Sequence, residues 1–346
     1  MTQRTTIADV AQAAAVHPST VSRVLSGRPD AAIRAQTRAR VVAAAGRLAY
    51  RPSAIARSLR LRRTLTLGML VPDIANPFFA LIIKGAEAAA RGRGYDLILC
   101  TTEDGREREA TSIALLRDRQ VDGVLIATAR ASDAMVADLR RDRFPFALLN
   151  RAAHGGRDLA VVVDNRRAAG RAIAHLRSLG HRRIAHIAGP RSTTTGAERA
   201  DGARAAVRRT RCDADPALFV EAGAFSEAEG HRVARRLLLL DEPPTAIFGA
   251  NDLITLGALR AARELELMVP RDLSLIGFND IPLAELLEPA LTTIRVPQLE
   301  MGATAARLLI DRLEGRHAGP ARVVLPTELV VRSSTAAPAE RVRRIA

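Results

Sequence analysis

The sequence contains no tryptophan, two tyrosines, two cysteines and one lysine, Lys84. Cys100 and Cys212 have the spacing of neither a disulfide framework nor a metal site, which excludes a cysteine-stapled scaffold and a zinc module. No apolar stretch is long enough to cross a bilayer. The opening MTQRTTIADVAQ lacks the apolar run and small-residue cleavage site of a secretory signal, and the expected location is the cytoplasm. Enzyme signatures are missing as well. The stretch GPRSTTTG at 189–196 has the glycine spacing of a phosphate loop without its lysine, no GxGxxG opens a helix behind the first strand, and no serine sits in GxSxG. His175, His181 and His186 follow no metal-ligand spacing, and His181 is expected to be structural or on the surface. No metal, cofactor or catalytic residue is expected.

What is abundant is apolar surface and arginine. With 48% hydrophobic and 26% charged residues over 346 positions, the chain can bury a sizeable core and divide into two or three domains. The net charge is +15, and residues 1–63 alone hold twelve arginines against two acids, Asp9 and Asp30. A bias towards arginine over lysine in a GC-rich genome explains the residue type but not its placement. Charge concentrated at one end points to a nucleic-acid-binding module. The remaining +5 reads as a diffuse background that includes Arg341, Arg343 and Arg344 of the tail.

Residues 5–25 read as two short helices around a tight connection. Thr6 with Asp9 three positions on is a capping-box start, and Ile7, Val10, Ala11 and Ala14 recur at helical spacing. Pro18 suits the first turn of a second helix, where its missing N–H has no partner. In that helix Val21, Val24 and Leu25 are apolar, while Ser19, Thr20, Ser22 and Arg23 are left for solvent or nucleic acid. A third helix over about 34–48 turns Val41, Val42, Ala45 and Leu48 inward. Three such helices make a helix-turn-helix domain or a generic bundle.

The segments TTIADVAQAAAVHPSTVSRVLSG and TRARVVAAAGRLAYRPSAIARSLR resemble the DNA-binding head of the LacI/GalR family of bacterial regulators. The resemblance implies that Pro18, Ser19 and Arg23 face base edges, that Thr20, Ser22 and Tyr50 hold phosphates, and that 53–59 is a hinge helix that orders on operator DNA and pairs with its dimer mate. In that helix Ser53, Ala56 and Leu59 are the expected contacts, with Leu59 either wedged into the minor groove or packed on protein. Arg23 either bonds guanine bidentately or holds a phosphate. His17 departs from the family, whose usual Ser or Thr there caps the recognition helix better than His.

From residue 65 the period changes. Apolar runs at 65–71, 97–100, 121–126, 146–149, 160–163, 184–188, 246–249 and 273–277 alternate with amphipathic stretches. Continuous apolar strands separated by helices imply parallel sheets buried on both faces, and so many units imply two α/β subdomains. In such folds ligands sit beyond the carboxyl ends of the strands. Those ends carry Asp73, Asn76, Phe78 and Phe79, then Asn150-Arg151, Asp164-Asn165, Asn251-Asp252 and Asn279-Asp280, with Phe248 and Phe278 alongside. Flat apolar rings beside Asn, Asp and Arg suit a small polyhydroxylated ligand, although each Asn or Asp alone is a common cap or turn residue.

The resemblance continues through VPDIANPFF, LLNRAA, AERADG, AIFGANDLITLG and SLIGFNDIPLAELLEPALTTIRVP, which are similar to the effector-binding core of the same family and to periplasmic sugar-binding proteins. It implies a pocket built from Asn76, Phe78, Phe79, Asn150, Arg151, Arg199, Asn251 and Asn279, to which the strand-end pattern adds Asp73, Phe248 and Asp280. Arg199 is expected at the start of a helix. Many relatives have Asp where Asn279 stands, so Asp280 either supplies the missing charge or caps the next loop; many also have Gln where Val296 stands.

The expected protein is therefore an N-terminal all-α helix-turn-helix head (1–52), a hinge helix and linker (53–63), and an α/β core (64–335) of two doubly wound parallel-sheet subdomains. The first subdomain takes about 64–163 and 296–325, the second about 164–295 and 326–335, and 336–346 is a disordered basic tail. The expected function is a sequence-specific transcriptional regulator, a repressor in the first instance. Its expected partners are near-palindromic double-stranded operator DNA at the nucleoid, a carbohydrate effector and a second copy of itself, with no membrane. A transport-type sugar receptor and a cleft enzyme acting on a small polar substrate are the alternatives.

Overall fold

A computed structural model describes residues 5–25, 33–50, 63–155, 158–317, 319 and 321–339. The hinge contacts Ser53, Ala56 and Leu59 lie outside the described residues. The chain falls into two units, Met1–Leu65 and Thr66–Ala346.

In the first unit, α1 (Ile7–Ala13), α2 (Pro18–Leu25) and α3 (Ala35–Arg47) bury one small core of Val10, Ala11, Ala14, Val21, Val24, Val41, Ala44 and Ala45. The start of α1 is fixed by a capping box: Thr6 Oγ1 accepts from the Asp9 amide, and the Asp9 carboxylate accepts from the Thr6 amide at 2.7 Å. Ala15, at φ 49°, reverses the chain between α1 and α2.

The second unit alternates strands and helices: β1 (Thr66–Val71), α4 (Pro77–Arg91), β2 (Asp96–Thr101), α5 (Arg106–Asp118), β3 (Gly123–Ile126), α6 (Ala134–Arg141), β4 (Phe146–Leu149) and β5 (Leu159–Val163). The chain then continues as α7 (Asn165–Ser178), β6 (Ile184–Ala188), α8 (Thr194–Arg209), β7 (Phe219–Glu221), α9 (Glu227–Leu238), β8 (Ala246–Gly249), α10 (Asp252–Glu264), β9 (Ser274–Asn279) and β10 (Thr292–Arg295). It closes with α11 (Gln298–Leu313), β11 (Ala321–Leu325) and β12 (Glu328–Val330).

Two six-stranded sheets result, ordered β11-β5-β4-β3-β1-β2 and β12-β10-β9-β8-β6-β7. All pairings are parallel except β10 with β12. The chain passes between the sheets three times, after β5, β10 and β11, so three strands of polypeptide link two α/β layers. A right-handed crossover places α4 on one face of the first sheet, where α11 packs against it, with α5 and α6 on the other. By the same rule α8 lies on one face of the second sheet, where α7 packs against it, with α9 and α10 opposite. Glycine permits the tightest of these contacts: a Cβ on Gly85 of α4 would lie 2.0 Å from the Leu299 carbonyl, and one on Gly302 of α11 would lie 1.9 Å from that of Ile82.

One expectation changes here, and one with two alternatives is decided. Ala336 is tied into the second sheet rather than to a loose tail, its carbonyl accepting from His181 Nε2 at 2.8 Å and its amide donating to Ser274 Oγ at 3.1 Å. His181 is accordingly a buried structural residue, and burial lowers its pKa. Among the described residues no helix is long and apolar enough to cross a membrane, and no three His, Cys, Asp or Glu side chains gather as metal ligands.

Candidate functional site

In the head, Ser19 and Arg23 are exposed one helical turn apart on α2, and Pro18, Thr20 and Ser22 are half-buried beside them. Tyr50 packs against the small core from just beyond α3. His17 caps α2 after all. Its Nδ1 accepts from the Ser19 amide at 3.2 Å and lies 2.8 Å from Ser19 Oγ, so an unprotonated ring nitrogen replaces the family's hydroxyl. Replacing His17 by Ala is expected to destabilise the head by about 1 kcal/mol, measured by urea unfolding, and an unchanged midpoint would remove the cap from the account.

In the second unit the strand ends converge on a cleft of about 230 Å³ between the two subdomains. The first sheet contributes Asp73, Asn76, Phe78, Phe79, Asn150 and Arg151, and the second contributes Arg199, Asn251 and Asn279. Phe78 and Phe79 meet edge to face at 5.1 Å. Three of the acids and amides also perform local tasks: Asp73 Oδ1 accepts from the Ala75 amide, Asn76 Oδ1 caps α4 at the Phe78 amide, and Asn251 Oδ1 caps α10 at the Ile254 amide. Their short polar side chains serve the turn and the cleft together.

The remaining polar groups differ. Asn150, held at φ 63°, makes no side-chain hydrogen bond among the described residues. Asn279 sits at φ 119°, a conformation rare for a residue with a Cβ, and its buried Oδ1 has no partner among the described residues. Arg199 lies on the second turn of α8 rather than at its start, because the helix begins earlier, at Thr194, behind a Thr193 cap. Its Nε donates to Asn165 Oδ1 at 2.9 Å, its Nη1 to the Ala250 carbonyl at 2.6 Å, and its guanidinium lies 3.6 Å from the Phe278 ring centroid. The Nη2 group has no protein acceptor among the described residues. Burial pushes this guanidinium down to about 9, so it remains protonated at neutral pH.

Two expected residues do not reach the cleft. Phe248 is fully buried within β8, stacked on His186 at 4.6 Å, because its side chain faces the sheet's own core. Asp280 is held by Arg295 Nε at 2.7 Å and Arg332 Nη1 at 2.8 Å, which tie the end of β9 to β10 and the C-terminal segment. It therefore does not supply the charge absent at Asn279. Gln298, two residues beyond Val296, donates to the Asn279 carbonyl at 2.7 Å and braces that loop.

Sequence reasoning also missed part of the wall: Glu103, Asp104, Thr195, Phe225 and Ser226 line the cleft as well. Asp104 accepts from Arg151 Nη1 at 2.6 Å and Nη2 at 3.3 Å, and the Arg151 guanidinium lies 5.7 Å from the Phe225 ring across the cleft. Glu103 and Asp104 are both left-handed, at φ 51° and 54°, which costs about 1–2 kcal/mol per residue unless neighbours enforce it. Arg130 provides that enforcement, donating to the Asp104 carbonyl with one arm and to the buried Glu109 carboxylate at 2.5 Å with the other. Replacing Arg130 by Met, with Glu109→Gln so that no buried charge is left alone, is expected to weaken ligand binding in the cleft about tenfold by calorimetry, the cost of a lost charge-assisted bond. Unchanged affinity would detach this loop from the site.

Comparison with known proteins agrees over the whole length. Residues 6–53 match the bacterial regulatory proteins of the lacI family, and residues 173–335 match a periplasmic binding protein-like domain. The repressor CytR of Escherichia coli is 37% identical over 96% of this chain and 96% of its own. A solved complex of the regulator CelR with cellobiose is 34% identical, with a TM-score of 0.74 over 96% of this chain and all of that one. The lac repressor dimer bound to operator and the anti-inducer ONPF is 27% identical, with a TM-score of 0.85 over 97% of this chain and all of that one.

Proposed function

The chain belongs to the lacI family of bacterial regulatory proteins, and from that premise we propose that it is a transcriptional repressor whose grip on operator DNA is set by a small effector in the cleft. The observation that carries this reading is the joining, in one chain, of a helix-turn-helix head to a cleft with polar groups that no partner among the described residues satisfies. Asn150, Asn279 and the Nη2 of Arg199 offer amide and guanidinium bonds, while Phe78, Phe79 and Phe225 offer flat apolar faces. That combination fits a polyhydroxylated ring, and a relative of the same family holds cellobiose. The cleft is smaller than the roughly 300–1,000 Å³ of drug-sized sites, which favours a single sugar ring.

Two heads of a homodimer would read half-sites of a near-palindromic operator, with Pro18, Ser19 and Arg23 towards base edges and Thr20, Ser22 and Tyr50 towards phosphates. The first subdomain would take about 64–163 and 296–325 and the second about 164–295 and 326–335, a division that the changes of sheet after β5, β10 and β11 support. The protein is a regulator and not an enzyme, and it acts in the cytoplasm. Because binding couplings are reciprocal, operator must change effector affinity by the factor with which effector changes operator affinity. Calorimetric titration of a panel of mono- and disaccharides, with and without an operator selected from random duplexes, tests this. A sugar bound equally well in both states would refute the control mechanism, and no sugar bound at all would refute the effector class.

A further inference from the structure

The +5 of residues 64–346 is not diffuse. Helices α7 and α8 together hold eight arginines against two acids, Glu198 and Asp201, so the whole positive excess of the core rests on one helical pair. Both helices lie on the same face of the second sheet and pack along one another. Small residues make that approach close: a Cβ on Gly202 would lie 2.3 Å from the Arg166 carbonyl. Between the helices runs a groove of about 510 Å³, with Gly170, Ala174, Gly202 and Ala205 along its floor.

Arg166, Arg167, Arg171 and Arg209 rim this groove. Asp201, the one acid lining it, is already paired with Arg166 at 2.9 Å and Arg191 at 3.3 Å. Arg171 donates to the Thr327 carbonyl, whereas the guanidinium groups of Arg167 and Arg209 have no partner among the described residues and both residues are exposed. Clustered like charges raise the energy of the free protein and strengthen binding of an anion. The occupant must also match an apolar line between two cationic rims. A free polyphosphate or a duplex has no such line, and single-stranded nucleic acid would want exposed rings for stacking, where the nearby Phe219 is half-buried beneath Arg204.

We propose that the α7–α8 groove is a docking surface for an acidic amphipathic helix of a partner protein, laid with small apolar residues on the floor and carboxylates against the rim arginines. None of the residues that line this groove lines the cleft.

The test uses the full chain, a synthetic helical peptide with an alanine stripe flanked by glutamates, and the variant R167E/R209E. Both positions are exposed, so the variant is expected to melt with the parent. The peptide is expected to protect 166–174 and 201–209 from hydrogen exchange, and R167E/R209E to bind it at least tenfold more weakly. Equal binding by parent and variant, absence of binding, or protection confined to the basic head would each overturn the proposal. Displacement of the peptide by tripolyphosphate or by a random duplex at equal charge concentration would overturn it too, in favour of a simple anion site or a nucleic-acid surface.

Discussion

Arg199→Met is expected to weaken effector binding about a hundredfold while moving the stability of the free protein by no more than about 1 kcal/mol. The first part rests on Nη2, which has no protein acceptor among the described residues, on a side chain that lines the cleft. A charge-assisted hydrogen bond contributes about 1.5–3 kcal/mol, and two from one fork reach the roughly 2.7 kcal/mol that corresponds to a hundredfold. The second part follows from opposing effects. A guanidinium depressed to about 9 from 12.5 is held charged against its burial, so its contribution to stability is lost as pH falls through about 9, and methionine removes that cost. Against this, Asn165 Oδ1 and the Ala250 carbonyl lose their donor. Lysine would keep the charge but cannot span both acceptors and the ligand, so Arg199→Lys should fall between. Calorimetry with the effector and urea unfolding without it separate the two quantities. Parent-like affinity in the methionine variant would place Arg199 outside the binding site.

The head was legible because its signals are local: a capping box, apolar positions at helical spacing and a proline at a first turn are all read within a few residues. That His17 turns its ring nitrogen back to an amide two residues on is not legible from residue type, because it depends on local geometry. In the core, the long buried strands were legible from their apolar runs. The short edge strands β7 and β12, and β11 with its alternating exposure, were not, since each buries too little to show a pattern. The unread β7 hid Phe225, which follows it and faces the cleft.

The cleft itself is legible wherever a residue ends a buried strand or follows it in the turn to the next element, as Asn76, Asn150, Asn251 and Asn279 do. The same rule over-reaches with Phe248, still inside β8, and with Asp280, one position beyond the end of β9. Side chains alternate along a strand, so one residue is enough to move a group from cleft to core. Asp104 and Arg130 could not be found that way. They act through a loop whose conformation is fixed by partners distant in sequence.

Asp252→Asn is expected to remove most of a pH dependence of stability that the parent shows between about pH 4 and pH 7. Asp252 is fully buried beneath the cleft, its Oδ1 accepting from the Thr293 hydroxyl at 2.6 Å and its Oδ2 from the Ile281 amide at 2.9 Å. Burial pushes its carboxyl up to about 7; the two hydrogen bonds and the positive charge of Arg199 oppose that rise, and Asp280 adds to it. An unfolded aspartate releases its proton near 3.8, so between 3.8 and 7 the folded chain binds the extra proton. The associated stability is complete below about pH 4 and is lost as pH rises through 7. Three pKa units correspond to about 4 kcal/mol, and relaxation around the charge leaves an expected loss of about 2–4 kcal/mol for the parent. Asparagine keeps the shape and one acceptor, and the Thr293 hydroxyl can turn to accept from its amide, so the variant should be the more stable protein above about pH 8 and close to the parent near pH 5. Urea midpoints from about pH 5 to pH 8.5 read the difference, and parallel curves for the two proteins would show that Asp252 is ionised in the fold throughout. Since Ile281 follows Asn279 by two residues, the same proton also loosens or holds the loop that carries the cleft's unpartnered amide. Parent affinity for the effector should then change across the same interval, and the asparagine variant should not follow it.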